Sequence, residues 1–424
     1  MRSRFRVALV LGAALTLLFC GTVGAGAARA QSGGVYVALG DSYTSAPLVP
    51  NQHGEPIDCG RSDHNYPSLA AQALGVAAFV DVSCGAAETR HMTEPQTAQF
   101  GGTNPPQFNA LRPDATLVTV GIGGNDAGLV GVALECAQLG ATQPTGHACR
   151  DHYAPGGHDT VAAKIEATKL RIAAVLQGIH ARSPAARVAI VGYPDPLPKS
   201  GGCYPMVPMS PDDIRYIDEL IVRINAMIAG QAAANDAEFV DTYADSAGHD
   251  VCTLPPTRWF EGLVPTEQAY PLHPNGKGEA SMARSAIKVL SAPRPSRATI
   301  QAPVLSSLRV SPRNVRVGRA ATVRFHLDRA AFVTLSLRRA LRGRRVGRRC
   351  VAPSPTNRRR RRCTRYSHLV TSVMVFGRAG SNRFTLTARR LGRRAGGYRL
   401  TASPTADGRR GTSRGYSFRL SRSR

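Results

Sequence analysis

Near residue 293 the spacing of the apolar residues changes, and that change limits what this chain of 424 residues can become. Before it, short strand-like runs alternate with stretches of helical spacing. Val35 to Leu39 reads as a buried strand, Tyr66 to Leu74 as a helix, and Ala78 to Ser83 and Ala115 to Val120 as further strands. From Thr160 to Arg182, Val161, Ile165, Thr168, Ile172, Val175 and Ile179 recur at steps of four and three, which predicts an amphipathic helix. Val188 to Val191 follows as a strand. Ser210-Pro211-Asp212-Asp213 then supplies a serine cap, a first-turn proline and an acid three on, opening a helix that runs to about Ala234. Phe239 and Val240 make a last short strand, and a helix is expected from about Lys277 to Leu290. Alternation of this kind predicts an α/β domain with a mainly parallel sheet and helices on both faces.

Beyond Ala292-Pro293-Arg294-Pro295-Ser296 the period becomes 2. Val323, Phe325 and Leu327 alternate with polar residues, as do Val333, Leu335 and Leu337, then Phe384 and Leu386, Tyr398 and Leu400, and Phe418 and Leu420. The pattern predicts a small all-β sandwich with arginine on its outward positions. Charge reverses at the same place. Residues 301–424 hold 32 arginines, no lysine and two acids, a balance of +30, whereas residues 31–300 hold 18 basic and 26 acidic residues, a balance of −8. We therefore divide the chain into a leader (1–30), an α/β domain (31–292), a linker (293–303) and an arginine-rich β-sandwich (304–424). The tail resembles the immunoglobulin-like modules appended to exported bacterial proteins. Within it, Arg358 to Arg362 lie between Cys350 and Cys363 and are expected to form a stapled, cationic hairpin tip.

Arg2, Arg4 and Arg6, an apolar stretch from Val7 to Phe19, and Ala28-Arg29-Ala30 make a secretory leader with a small-x-small cleavage site. The stretch is short for a membrane span. Cys20 is a poor lipoprotein anchor, because Phe19 stands where that signal wants a small residue. With Cys20 removed, eight cysteines enter an oxidising space. They allow 105 pairings, and sequence neighbours pair Cys59 with Cys84, Cys136 with Cys149, Cys203 with Cys252 and Cys350 with Cys363. A metal site built from His147, Cys149, His152 and His158 lacks a paired Cys-x-x-Cys, so no metal is expected.

The first strand stops at Gly40-Asp41-Ser42, which sets a hydroxyl nucleophile at the carboxyl end of a buried strand. Such a turn is common by itself. It is accompanied by Gly85 in Val82-Ser83-Cys84-Gly85-Ala86, by Val120-Gly121-Ile122-Gly123-Gly124-Asn125-Asp126, and by Pro271-Leu272-His273-Pro274-Asn275-Gly276. Serine needs a base within hydrogen-bond reach, and His273, held in a proline-flanked turn, is the candidate. Asn125 offers an amide from a glycine-rich loop, and the missing Gly-Lys-Ser/Thr argues against a phosphate cradle. Asp41 is expected to bond the turn's backbone. Trp259 either walls an acyl pocket or packs within its loop.

These four blocks, in order over about residues 34 to 290, resemble the SGNH (GDSL-type) hydrolase family. The resemblance implies a three-layer α/β/α hydrolase with Ser42 as nucleophile and His273 as general base. It also implies an oxyanion hole from the N–H groups of Ser42 and Gly85 and the side chain of Asn125. Three disulfides in this domain are likewise a trait of the family's secreted actinobacterial branch. Most members carry an acid three residues before the histidine, and this chain has Tyr270 there. Resemblance to secreted esterases typified by the potato-scab enzyme implies that the Tyr270 carbonyl orients His273 instead. A distant acid, Asp250 or Glu267, is the alternative. The expected function is a secreted esterase or lipase acting on carboxylic esters, among them triacylglycerol, phospholipid, plant polyester and acetylated polysaccharide. It needs no cofactor and is expected to be a monomer. A second reading makes the protein a surface-binding module whose cationic tail contacts anionic cell wall, membrane or polysaccharide. Nucleic acid is not expected as a partner of an exported chain. Arginine decorating a solvated β-surface is the plain alternative.

Overall fold

The computed structural model describes residues 33–98, 101–294, 301–392, 394–406 and 409–422. The expected leader, residues 1–30, lies outside them, as do residues 295–300 of the expected linker. Strands β1 (Val35–Gly40), β2 (Ala78–Asp81), β3 (Ala115–Gly121), β4 (Arg187–Val191) and β5 (Glu238–Val240) form one parallel sheet in the order β2-β1-β3-β4-β5. Helices α1 (Tyr66–Leu74), α2 (Leu129–Thr142), α3 (Thr160–Arg182), α4 (Pro211–Ala234) and α5 (Gly276–Ser291) cover it. Side chains along a strand point alternately to opposite faces. Tyr36 and Ala38 of β1 therefore pack with Ala70 of α1 and Ala286 of α5. Val37 and Leu39 join Ile172 of α3 and Ile224 of α4 on the other side. The result is the expected three-layer α/β/α arrangement.

The helices begin where their caps dictate. Ser210 Oγ accepts the Asp213 N–H at 3.1 Å, and Asp159 Oδ1 accepts the Ala162 N–H at 2.8 Å. Helix α2 was not legible in the sequence, because its residues are apolar nearly all round and no polar face marks a period. Its Gly140 has a packing reason: a Cβ there would lie 2.0 Å from the Pro208 carbonyl oxygen.

The C-terminal domain is built from β6 (Leu305–Ser311), β7 (Ala321–Leu327), β8 (Ala331–Val346), β9 (Arg362–Gly377), β10 (Gly380–Leu386), β11 (Gly396–Ala406) and β12 (Arg414–Ser421). Strands β6, β7 and β10 make one sheet, while β12, β11, β8 and β9 lie side by side in the other. Val323, Phe325, Leu327, Val333, Leu335 and Leu337 fill the space between them. Phe332 and Phe376 face the opposite way and meet Phe239 and Tyr243 of the first domain, with ring centroids 6.4 and 5.8 Å apart. All four expected disulfides are formed. Among the described residues no helix is long and apolar enough to cross a membrane.

Candidate active site

Ser42 opens a short helical turn, Ser42–Ser45, directly beyond β1. Gly40 is required there. Its φ is +155°, and a Cβ would meet Thr44 Oγ1 at 2.2 Å and the Gly121 carbonyl at 2.7 Å. Asp41 caps the turn as expected, its Oδ1 accepting the Tyr43 N–H at 3.0 Å. Its other oxygen accepts from the Tyr193 hydroxyl at 2.6 Å, and the same hydroxyl accepts the Gly124 N–H at 2.7 Å. One oxygen atom thus joins the Ser42 turn to the loop that carries Asn125. No motif points to Tyr193, which lies 68 residues beyond Asn125 and just past β4.

His273 Nε2 lies 2.7 Å from Ser42 Oγ across 231 residues of chain. Both side chains are nearly closed to solvent, His273 at 3% and Ser42 at 8% exposure. Nδ1 donates to the Pro271 carbonyl at 2.8 Å. This corrects the expectation for Tyr270. The Tyr270 carbonyl instead accepts the backbone N–H of His273 at 3.1 Å, closing a tight turn that leaves Pro271 as the carbonyl facing the ring. The bond to Pro271 fixes the proton on Nδ1 and leaves the Nε2 lone pair toward Ser42. Neither proposed acid serves the ring: Asp250 caps the Cys252 N–H at 2.9 Å, and Glu267 pairs with Lys277 at 2.5 Å. Burial, opposed by the Pro271 bond, holds the imidazole down to about 4, so it is neutral and able to accept a proton.

The turn around His273 is fastened from both sides. Tyr43 donates its hydroxyl to the Leu272 carbonyl at 2.8 Å and lays its ring 4.9 Å from the imidazole. Asn275 caps α5 and donates to Glu261 at 2.9 Å, while the Glu261 N–H donates to the His273 carbonyl at 3.0 Å. Backbone strain collects here as well. Ala46, Ala86 and Leu272, each in the left-handed region near φ +60°, follow or adjoin the three blocks that hold Ser42, Gly85 and His273.

Asn125 lies beside Ser42, its Nδ2 donating to the Ala87 carbonyl at 2.8 Å and keeping a second hydrogen. Among the described residues the Ser42 N–H has no acceptor. Gly85 shares an opening with Ser42, Asn125 and His273, but its N–H already donates to the Cys59 carbonyl at 2.9 Å. The cause is the Cys59–Cys84 bridge, which draws that strand end against the Cys59 loop. Donation by Gly85 to an oxyanion therefore requires this bond to be shared. Asp126 ties the Asn125 loop to Thr89, whose N–H it accepts at 2.9 Å. Trp259 lines neither space beside Ser42 and stacks on His249, 3.4 Å between ring centroids, within its own loop region. His147 and His152 pair with Asp151 and Glu135, and Cys149 is bridged. Among the described residues no three histidine, cysteine or acidic side chains gather as a metal cluster.

Two spaces meet at Ser42. One is narrow and apolar, running between α2 and α4 past Leu129, Val132, Leu197, Met209, Leu220 and Ile221. The other is open to solvent, lined by Leu48, Ile57, Gly85, Asn125, Tyr270 and His273. A hydroxyl, a neutral imidazole and hydrogen-bond donors between an apolar slot and an open mouth are the parts that acyl transfer requires.

Comparison with known proteins leads to the same chemistry. Residues 38–280 match the GDSL-like lipase/acylhydrolase family. The chain is 36% identical over 259 residues to Lipase 2 of Streptomyces coelicolor, covering 60% of this chain and 85% of that one. It is 29% identical over 318 residues to an esterase of Streptomyces scabiei, covering 65% and 91% of the two chains. Its fold is similar to that of phospholipase A1 from Streptomyces albidoflavus, with 26% identity and a TM-score of 0.51 over 61% of this chain and 99% of the other. With more than half its length matched, the chain belongs to the GDSL-like lipase/acylhydrolase family and is a carboxylic-ester hydrolase.

Proposed function

We propose that the protein is exported and hydrolyses lipid esters by acyl transfer through Ser42. The observation that carries this reading is the 2.7 Å contact between Ser42 Oγ and His273 Nε2, with Nδ1 already committed to the Pro271 carbonyl. As Ser42 Oγ attacks the ester carbon, its proton passes to Nε2, and His273 then delivers it to the departing alcohol oxygen. Water, deprotonated by the same imidazole, releases the acid from the acyl-enzyme. The Ser42 N–H and the free hydrogen of Asn125 stabilise the oxyanion, with Gly85 as a third donor once its bond to Cys59 is shared. The imidazolium is stabilised by a backbone dipole in place of a carboxylate.

The narrow apolar slot suits a single acyl chain, and the wider mouth suits a bulky alcohol such as an acylated glycerol or a phospholipid. Its likeness to a lipase and to a phospholipase A1 supports this substrate class. Export rests on the leader of residues 1–30, and contact with an anionic surface on the +30 tail. The test is a chain-length profile of nitrophenyl esters together with phosphatidylcholine. Preference for medium or long chains, abolished in Ser42→Ala, is expected. Preference for acetate, with no release of fatty acid from phospholipid, would move the substrate to acetylated sugars.

A further inference from the structure

Beyond Leu337 the β8–β9 pair leaves the sandwich core and carries arginine where apolar side chains stood. Between Arg338 and Arg365 there are 13 arginines and no acid. Ion pairs of this domain's arginines among the described residues lie elsewhere, at Arg329, Arg389 and Arg390. The thirteen guanidinium groups therefore pair with no carboxylate among the described residues. The backbone that carries them is held in place. The short strand Arg349–Val351 lies on one side of β8 and β9 on the other, with Arg345 opposite Cys350 and Gly343 opposite Cys363. The Cys350–Cys363 bridge arches over β8 at Gly343, where a Cβ would come within 2.5 Å of Cys350 Sγ. The expected hairpin tip is thus a three-stranded, disulfide-clamped tip. The loop between the cysteines is fixed further by Asn357, which accepts the Ser354 N–H and donates to the Ala352 carbonyl.

A solvated surface gains nothing from holding like charges rigidly together, since their repulsion opposes the folded state. A fixed array of guanidinium forks does match a surface of phosphate oxygens, which it can bind bidentately. Apolar groups stand among the charges: Val346, at the β-turn, is 46% exposed and Tyr366 is 39% exposed. A soluble polyanion offers them nothing, whereas a bilayer offers phosphate at its surface and hydrocarbon beneath. We propose that this stapled tip docks the enzyme on a bilayer containing anionic phospholipid. The proposal rests on the reading of the enzyme as one that acts on lipid esters, and it assigns the tail's surface contact to residues 338–366.

The test uses full-length Ser42→Ala protein, so that vesicles stay intact and binding is separated from hydrolysis. Co-sedimentation is measured with phosphatidylcholine vesicles with and without phosphatidylglycerol, over a salt series. Binding only to the anionic vesicles, released by salt, is expected. Replacing Arg358 to Arg362 by glutamine should weaken it by about tenfold or more, and Val346→Ser by roughly threefold. A charge-matched control replaces Arg313, Arg316, Arg319, Arg324 and Arg383, five exposed arginines elsewhere in the domain, and should weaken it far less. Each five-arginine variant, made with Ser42 intact, should keep full activity on a soluble short ester, which certifies folding. Equal loss in the two variants would overturn the proposal in favour of diffuse charge. Binding to soluble polyphosphate without binding to vesicles would overturn it in favour of a polyanion. If short esters are not hydrolysed at all, the acyl-transfer reading fails while the vesicle result still stands or falls by itself.

Discussion

Tyr193→Phe removes a single oxygen from the joint between the nucleophile turn and the oxyanion loop. The ring remains, with its edge contact to Tyr43 at 5.3 Å. The Gly124 N–H and Asp41 Oδ2 both lose a buried partner. Each such loss costs about 1–3 kcal/mol, so stability should fall by about 2–6 kcal/mol, toward the lower end if the loop relaxes. Relaxation would shift Asn125, one residue from Gly124, away from Ser42. A displacement of a fraction of an ångström there should lower kcat by about 10- to 100-fold, with KM for a soluble ester little changed. The defect should also depend on pH. Burial pushes the Asp41 carboxyl up to about 7, and the Tyr193 hydroxyl is the first of the groups holding it down. A carboxyl whose folded pKa lies above its unfolded value contributes stability at low pH that is lost as pH rises through the folded value. Removing the hydroxyl raises that value further. The Tm difference between variant and parent should therefore widen from about pH 5 to about pH 8. Calorimetry at both pH values, with steady-state kinetics on a short ester, checks this. A Tm difference constant with pH, with kcat unchanged, would refute the role of Tyr193 as the joint.

The acid limb of kcat/KM should fall near pH 4 to 5, because burial holds His273 down to about 4 and only the neutral ring accepts the serine proton; a limb at about 6.5 would contradict this burial. Asn125→Ala should lower kcat by about 10²- to 10³-fold through loss of one oxyanion donor, measured on the same ester. Tyr270→Ala, Asp250→Asn and Glu267→Gln should each keep most of the activity, since the Pro271 carbonyl survives all three; a loss in either acid variant as deep as that in His273→Ala would restore a carboxylate to the site. Filling the apolar slot with Ile221→Trp should shift ester preference to shorter chains without abolishing turnover, read from a chain-length profile.

The sequence carried the fold wherever periodicity was clean. Helices α3 and α4 span the residues that their apolar spacing predicts, and α4 begins at its Ser210 cap because such a cap acts locally. Helix α2 escaped because its outer face also carries apolar residues such as the exposed Leu134, and β9 because its first half, Arg362 to Leu369, shows no run of alternating apolar residues. The site was legible to the extent that it consists of backbone-defined blocks. Ser42, Asn125 and His273 meet as their motifs imply. What the sequence could not convey was set by turn geometry and long-range contact. A tight turn decides that Pro271 faces Nδ1, a disulfide commits the Gly85 N–H to Cys59, and Tyr193 enters the site only because β4 ends beside β3.

The most direct test of Ser42 as the acyl-accepting nucleophile is covalent trapping with an alkyl fluorophosphonate, followed by intact-mass measurement and peptide mapping. One adduct per chain is expected, on the peptide that contains Ser42, absent in Ser42→Ala and strongly slowed in His273→Ala. An adduct on another residue, or full ester hydrolysis by Ser42→Ala, would contradict it.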